Sequence, residues 1–438
     1  MDNVPAGSRI SLCMIVRDEI DCLGRCIESV RDIVSEIVIV DTGSTDGTLD
    51  LAKRYASKLR QIAWNDDFSH ARNISLDMAA GEWILQLDAD EYLREESRPE
   101  LLEGIKKPDV LAYSPAVRNH FEEGRHEIFY PARIFRRIPG VRYSGKIHEQ
   151  VTPALLAILK SDPRWRTGTL EKVVIEHLGY MQQSKENKNK KSRNISLLTR
   201  ALAEDPGDLY RRFKLAQELG SETEIGYRHL SMALEGLLRH SDREIREMAF
   251  AHELLGNAAL RLAGRNEPQK ALRICAIAES LFRPHPVLSF VKALSNYLLH
   301  DIDNSLGGAN EALAMAWPPG AFVCRPDWLR EDIYLLISRI LQEKGEYSRA
   351  IDTLRSATTE SPASRRLALA LVRSAITAGV PLLALEEGAK WMKSHGRDAE
   401  CLLLCAEAAQ MHGDRSCAAR WRSLAAEIGT NSKPAFVN

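Results

Sequence analysis

The feature that most constrains this chain is a change of periodicity. Over roughly the first 90 residues, short apolar runs alternate with segments of helical spacing, the pattern of a parallel-sheet α/β domain. ISLCMIV (Ile10–Val16) reads as a buried strand. Leu23, Ile27, Val30 and Val34 recur at helical spacing, and EIVIVD (Glu36–Asp41) reads as a second strand. A helix over Thr48–Leu59, a short strand over Arg60–Ala63, a helix over Ser69–Ala80 stopped by Gly81, and a strand over Trp83–Asp88 continue the alternation. Beyond them, VLAYSPAV, RIFRR, VRYSG and VVIEH are β-like pieces separated by Pro and Gly, and the domain is expected to close near Tyr180.

The polar, basic stretch SKENKNKKSRN (Ser184–Asn194) separates two regimes. It reads as a solvated linker or helix start, with an anion-binding patch as the alternative. After it, Leu- and Ala-rich helical patterns break at Gly and Pro about every 30–40 residues, a spacing typical of helical-hairpin arrays. The clearest unit, Asp327–Pro362, has Gly345 and Tyr347 at its turn and Ala350, Leu354 and Ala357 on one helix face, and resembles a tetratricopeptide repeat. Asp208–Leu238, Met248–Ser280, Ser364–Lys393 and Glu400–Ala425 look like degenerate copies. The expected organisation is a catalytic α/β domain over 1–180, a basic linker or helix start over 181–205, and an all-α repeat domain over 206–438.

Charge excludes one class of function. With 59 Lys and Arg against 60 Asp and Glu, the chain has no global field for nucleic acid. No apolar run approaches the ~18–20 residues that span a bilayer, and MDNVPAGSRI lacks the order of a signal peptide, so a cytoplasmic protein is expected. The eight cysteines form no CxxC pair. Cys22 with Cys26, and Cys401 with Cys405, are spaced for one helix face and read as reduced structural thiols.

Chemistry concentrates at strand ends. Asp88 and Asp90 are two apart after a strand, so in extended backbone both face one side, which suits a hard divalent cation with open positions for diphosphate oxygens. A solvated acidic turn is the plainer reading of such a pair. A second acidic turn, Asp41 to Thr48, follows the previous long strand, and its Gly43 and Gly47 permit tight backbone geometry. Two converging strand ends with carboxylates and hydroxyls, Ser44 among them, make a pocket able to hold a base and ribose.

In this order ISLCMIVRDE, IVIVDTGSTDGT, WNDDFSHARN and WILQLDADE resemble the nucleotide-sugar-binding half of an inverting family-two glycosyltransferase of GT-A fold, a Rossmann-like, mostly parallel sheet. The likeness covers about residues 9–180. RIFRR, YSGKIHE and EHLGY followed by helical repeats are similar, more narrowly, to the sublancin-type peptide S-glycosyltransferases.

The resemblance implies that Asp41 contacts the uracil or ribose of a UDP-sugar, with Arg17, Glu19 and Ser44 in the same pocket. It implies that Arg72 faces the nucleotide or diphosphate, the alternative being a surface arginine paired with Asp66 or Asp67. Asp88 would approach the ribose and the metal, magnesium or manganese, and Asp90 would ligate it directly; His177 is a second candidate ligand and Arg133 a diphosphate contact. The sequence lacks an acidic pair at the family's usual distance after Asp90, so the base falls to Glu149 with His148 beside it. A cysteine thiol acceptor, with a free pKa of ~8.5, would tolerate a weak base.

The expected activity is metal-dependent, inverting transfer of a hexose from a UDP-sugar to a peptide or protein, through a Cys thiol or a Ser hydroxyl. Transfer to an envelope or lipopolysaccharide glycan is the alternative enzyme, and a repeat scaffold that binds the donor without turnover is the alternative of another class. A homodimer is compatible with the sequence.

Overall fold

A computed structural model describes residues 9–120, 126–178, 184–316 and 326–431. The N-terminal sheet comprises β1 (Ile10–Val16), β2 (Glu36–Asp41), β3 (Lys58–Gln61), β4 (Trp83–Gln86), β5 (Glu91–Leu93), β6 (Val110–His120), β7 (His126–Phe129), β8 (Ile134–Arg136) and β9 (Arg166–His177). Its order is β3-β2-β1-β4-β8-β6-β9-β5, with β7 on β6. The half from β3 to β4 is parallel. Antiparallel pairing of β8 with β4 and β6 makes the rest mixed, so the sheet is parallel where the first strand ends converge and not throughout. Seven buried or nearly buried residues in a row make β1 apolar on both faces, as helix-covered parallel strands require.

Local chemistry moves several expected boundaries. The strand after Gly81 stops at Gln86, because Asp88 gives its N–H to the Glu91 side chain. The preceding helix starts at Phe68, because Asp67 Oδ1 caps it by accepting from His70 N at 2.9 Å. Its end at Met78 and the shift of the short strand to Lys58–Gln61 are smaller differences.

The chain divides into two compact units, and the first runs past Tyr180 to Arg261. The basic stretch opens a 21-residue helix, Ser184–Glu204. Leu197, Leu198 and Leu202 of that helix pack with Ile147 and Leu215, against Phe68, which makes the helix part of the first unit's core. Helices Leu209–Leu219, Glu224–Leu237 and Asp242–Glu247 follow.

The second unit, from Leu262 onward, is helical among the described residues. Its hairpins are Pro286–Leu298 with Ile302–Ala314, Pro326–Glu343 with Tyr347–Glu360, Arg365–Thr377 with Pro381–His395, and Ala399–Met411 with Arg415–Asn431. The first hairpin was not expected from sequence, and its turn shows why. The left-handed turn position recurs 34 residues apart, from Asn266 to His300 and again from Gly345 through Gly379 to Gly413, so His300 stands where three later turns carry glycine. Cys401 and Cys405 are packing thiols: both are buried, and a Cβ on Gly388 of the facing helix would lie 2.5 Å from Cys405 Sγ.

Candidate functional site

The parallel register places the ends of β1, β2 and β4 on one edge of the sheet, with Val16 opposite Asp41 and Cys13 opposite Gln86. Arg17 and Glu19 follow β1, Asp41 closes β2, and Asp88 lies just beyond β4. The first two loops are laced together. Ser44 Oγ accepts from Asp18 N at 3.0 Å, Thr48 Oγ1 from Glu19 N at 2.7 Å, and Asp46 Oδ2 from Ile20 N at 3.1 Å. Gly43 and Gly47 supply the positive φ of 105° and 99° that this turn needs. Asp41 is fully buried, and its Oδ1 accepts from Gly43 N, Ser44 N and Gln61 Nε2. Its buried Oδ2 has no hydrogen-bond partner among the described groups.

Beside this loop lies a buried ionic cluster. Arg72, from the helix Phe68–Met78, donates from Nη2 to Asp88 Oδ1 at 2.9 Å and from Nε to Glu149 Oε1. Arg133 donates from Nη2 to Asp88 Oδ2 at 3.1 Å and to Glu91 Oε1 at 2.7 Å, and from Nη1 to Gln86 Oε1. Burial alone would raise the Asp88 carboxyl, but Arg72 and Arg133 outweigh it and hold its pKa well below the usual range. Glu91 is the converse case. Burial first, with Asp88's charge, pushes it up to about 7 against the pull of Arg133. Arg72 is therefore an interior cation, with the Tyr143 ring 5.6 Å away, while Asp66 pairs with Arg200.

His177 reaches Asp90 through strand register. It is opposite Glu91 in the β5–β9 pair and opposite Asn119 in the β6–β9 pair. Its Nε2 lies 3.2 Å from Asp90 Oδ2, and its Nδ1 lies 2.6 Å from Asn119 Oδ1. Among the described residues no three His, Cys, Asp or Glu side chains converge as a ready-made metal cage. Asp90 and His177 nevertheless fit a divalent cation that takes its remaining ligands from phosphate and water, with Asn119 orienting the imidazole. Both oxygens of Asp88 are taken by guanidinium groups, which leaves it poorly placed to bind a cation directly.

Two cavities flank the cluster. One of about 810 Å³ is lined by Arg17, Glu19, Thr42, Trp64, Asp90 and His177, among others. The second, about 610 Å³, is lined by Arg133, Tyr130, Tyr143, Tyr210, Lys214 and Phe250, among others. Arg72, Asp88, His148 and Glu149 line both. His148 takes a left-handed φ of 48° in the tight turn between Ser144 and Gln150, which presents Glu149 to the junction. Arg133 lines only the smaller of the two, away from Arg17, and Asp41 lies beneath the larger one without lining it.

Gln86, Tyr143 and Asn119 were not singled out from sequence. Gln86 had a visible signal, a polar residue ending an otherwise apolar strand; Tyr143 and Asn119 had none.

The sequence model for Glycosyl transferase family 2 matches residues 11–161. Those residues are a family 2 glycosyltransferase domain. A TPR repeat-containing protein of Synechococcus elongatus is 37% identical over 256 residues, covering 58% of this chain and 62% of that protein. The SPbeta prophage-derived glycosyltransferase SunS of Bacillus subtilis is 27% identical over 213 residues, covering 48% and 49%. The lipopolysaccharide core biosynthesis glycosyltransferase LpsC of Rhizobium meliloti is 32% identical over 163 residues, covering 33% and 57%. The chain thus spans about half to three-fifths of the length of these relatives. The family 2 domain contains the converging strand ends and the ionic cluster, whereas His177 and the helix Ser184–Glu204 lie beyond its matched residues. Among the described residues no helix is long and apolar enough to cross a membrane.

Proposed function

We propose that this chain is a metal-dependent, inverting glycosyltransferase that moves a hexose from a UDP-sugar to a peptide or protein acceptor. The observation that carries this reading is the pair of cavities sharing Arg72, Asp88, His148 and Glu149. A donor in the larger one and an acceptor in the smaller would meet at Glu149.

In this reading Arg17, Glu19 and the Asp41 turn with Ser44 hold the nucleoside, the unpartnered Asp41 Oδ2 being suited to an N–H or hydroxyl donor. Asp90 and His177 would hold the divalent cation, which when bound would supply Lewis-acid stabilisation of the charge on the departing UDP. Asp88 is kept ionised by its two arginines and approaches the ribose. Glu149 Oε1 is engaged by Arg72, and Oε2 is the oxygen left to take the acceptor proton as the acceptor atom attacks the anomeric carbon and UDP leaves with the bonding pair. A thiol acceptor would ask little of that base.

Similarity to SunS supports a peptide acceptor, and similarity to LpsC supports a glycan of the envelope as the second reading. The full chain would be incubated with UDP-glucose, UDP-GlcNAc or UDP-galactose, manganese and candidate acceptors. Released UDP and intact acceptor mass are then measured. A hexose mass gain on a peptide is the expected result. Gain on a glycan alone selects the second reading, and nucleotide binding with no UDP release from any donor rejects transfer in favour of a binding scaffold.

A further inference from the structure

In the basic stretch read from sequence as a solvated linker or an anion-binding patch, Lys190 and Arg193 are exposed and Asn194 is half-buried. Lys190, Arg193 and Asn194, on the helix Ser184–Glu204, line the same 810 Å³ cavity as Arg17, Asp88 and Asp90. The Arg193 guanidinium sits 5.2 Å from the Phe68 ring centroid, which fixes it over the cavity wall. Among the described residues no carboxylate comes within the 4 Å of an ion pair with Lys190 or Arg193. Six carboxylates line the same cavity, Asp18, Glu19, Asp21, Asp88, Asp90 and Glu149, and Asp18 Oδ2 lies 3.8 Å from Arg17 Nε. Asp88 and Glu149 bind Arg72, Asp90 faces His177, and Asp18 accepts from Thr45 N at 2.7 Å. Burial first, then the positive charge of Arg17, lower the Arg193 pKa against the opposing pull of Glu218 and Asp66. Lys190 and Arg193 thus bring positive charge to this cavity with no ion-pair partner among the described residues, charge that a bound polyanion would pair with.

We propose that Lys190 and Arg193 form a pyrophosphate-binding patch for the nucleotide-sugar, supplied by a helix outside the matched family 2 residues. This rests on the donor reading of the larger cavity and adds a division of labour to it. The strand ends of β1 and β2 hold the nucleoside, and the helix takes the phosphates. As UDP departs, its charge grows where these side chains converge, so the patch also stabilises the leaving group.

The test is direct binding to the full chain, without turnover. UDP, uridine and inorganic pyrophosphate are titrated into wild type, Lys190→Ala, Arg193→Lys and the Lys190→Ala/Arg193→Ala double variant, at two salt concentrations. The double variant is expected to lose about 10-fold or more in UDP affinity, with uridine affinity unchanged within about twofold. Pyrophosphate competition and the salt dependence of UDP binding should weaken together, and Arg193→Lys should keep part of the affinity. Unchanged UDP affinity in the double variant overturns the patch while leaving the donor reading intact, and a parallel loss for UDP and uridine overturns it as mere structural damage. Wild type that binds neither ligand overturns the donor reading and the patch with it.

Discussion

Arg72 Nη2 lies 2.9 Å from Asp88 Oδ1, and this contact joins the helix Phe68–Met78 to the acidic turn after β4. The same guanidinium engages Glu149, 77 residues further along the chain than Arg72, so one cation sets the positions of two carboxylates that line both cavities. Removing it leaves Glu149 without this partner and Asp88 with Arg133 alone.

Arg72→Ala should therefore destabilise the first unit by about 3–5 kcal/mol, toward the low end because Arg133 still pairs with Asp88. Urea unfolding measures this. A change below about 1 kcal/mol would mean the cluster is solvated and the pairing weak. Adding Glu149→Ala to the variant should return part of the loss.

Asp90→Ala should abolish transfer yet leave unfolding free energy within about 1 kcal/mol, since it removes the proposed cation ligand and no packed apolar surface. Turnover that survives in this variant would remove Asp90 from the metal site.

Metal affinity should depend on pH in a defined direction. Burial would lower the His177 pKa, but the hydrogen bond and charge of Asp90, with Glu91 and Asp88, raise it above the usual histidine value. A cation must displace that proton, so manganese affinity measured with UDP present should climb as pH rises through the raised value. A flat affinity from about pH 6 to 8.5 would exclude His177 as a ligand.

Glu91 gives a stability signature. Its carboxyl is pushed from 4.5 to about 7, burial being the main cause. A group raised in the folded state contributes stability that is complete below its unfolded value and is lost as pH rises through the folded one. Unfolding free energy should thus carry a decline between about pH 5 and 8 that Glu91→Gln flattens. An identical pH slope in the two proteins contradicts a neutral Glu91.

Leu198→Ala should cost about 2–5 kcal/mol, because the fully buried side chain ties the helix Ser184–Glu204 to Ile147 and Leu215. A loss under about 0.5 kcal/mol would show that this helix is a detachable linker.

Much of the fold was legible because it is written in local periodicity. The buried runs of β1 and β2 and the left-handed glycine at 345 are each decided within a few residues, and they appear where the sequence puts them. The boundaries that moved did so for side-chain reasons, as at Asp67 and Glu91. The hairpin turning at His300 was hidden because its turn uses a histidine where the pattern leads one to look for glycine.

The sequence by itself determined the two structural regimes, the strand-end carboxylates and the residue types available for a donor site. Only the tertiary structure decided which of them meet. His177 reaches Asp90 because β9 pairs with β5 in one register, and a shift by one residue would turn its side chain to the other face. Glu149 reaches Arg72 because a strained turn carries it there, and Lys190 and Arg193 reach the cavity because leucines on the same helix are buried beneath them. Contacts separated by 77 or 87 residues leave no trace in local spacing, since they are fixed by packing and register after the chain has folded.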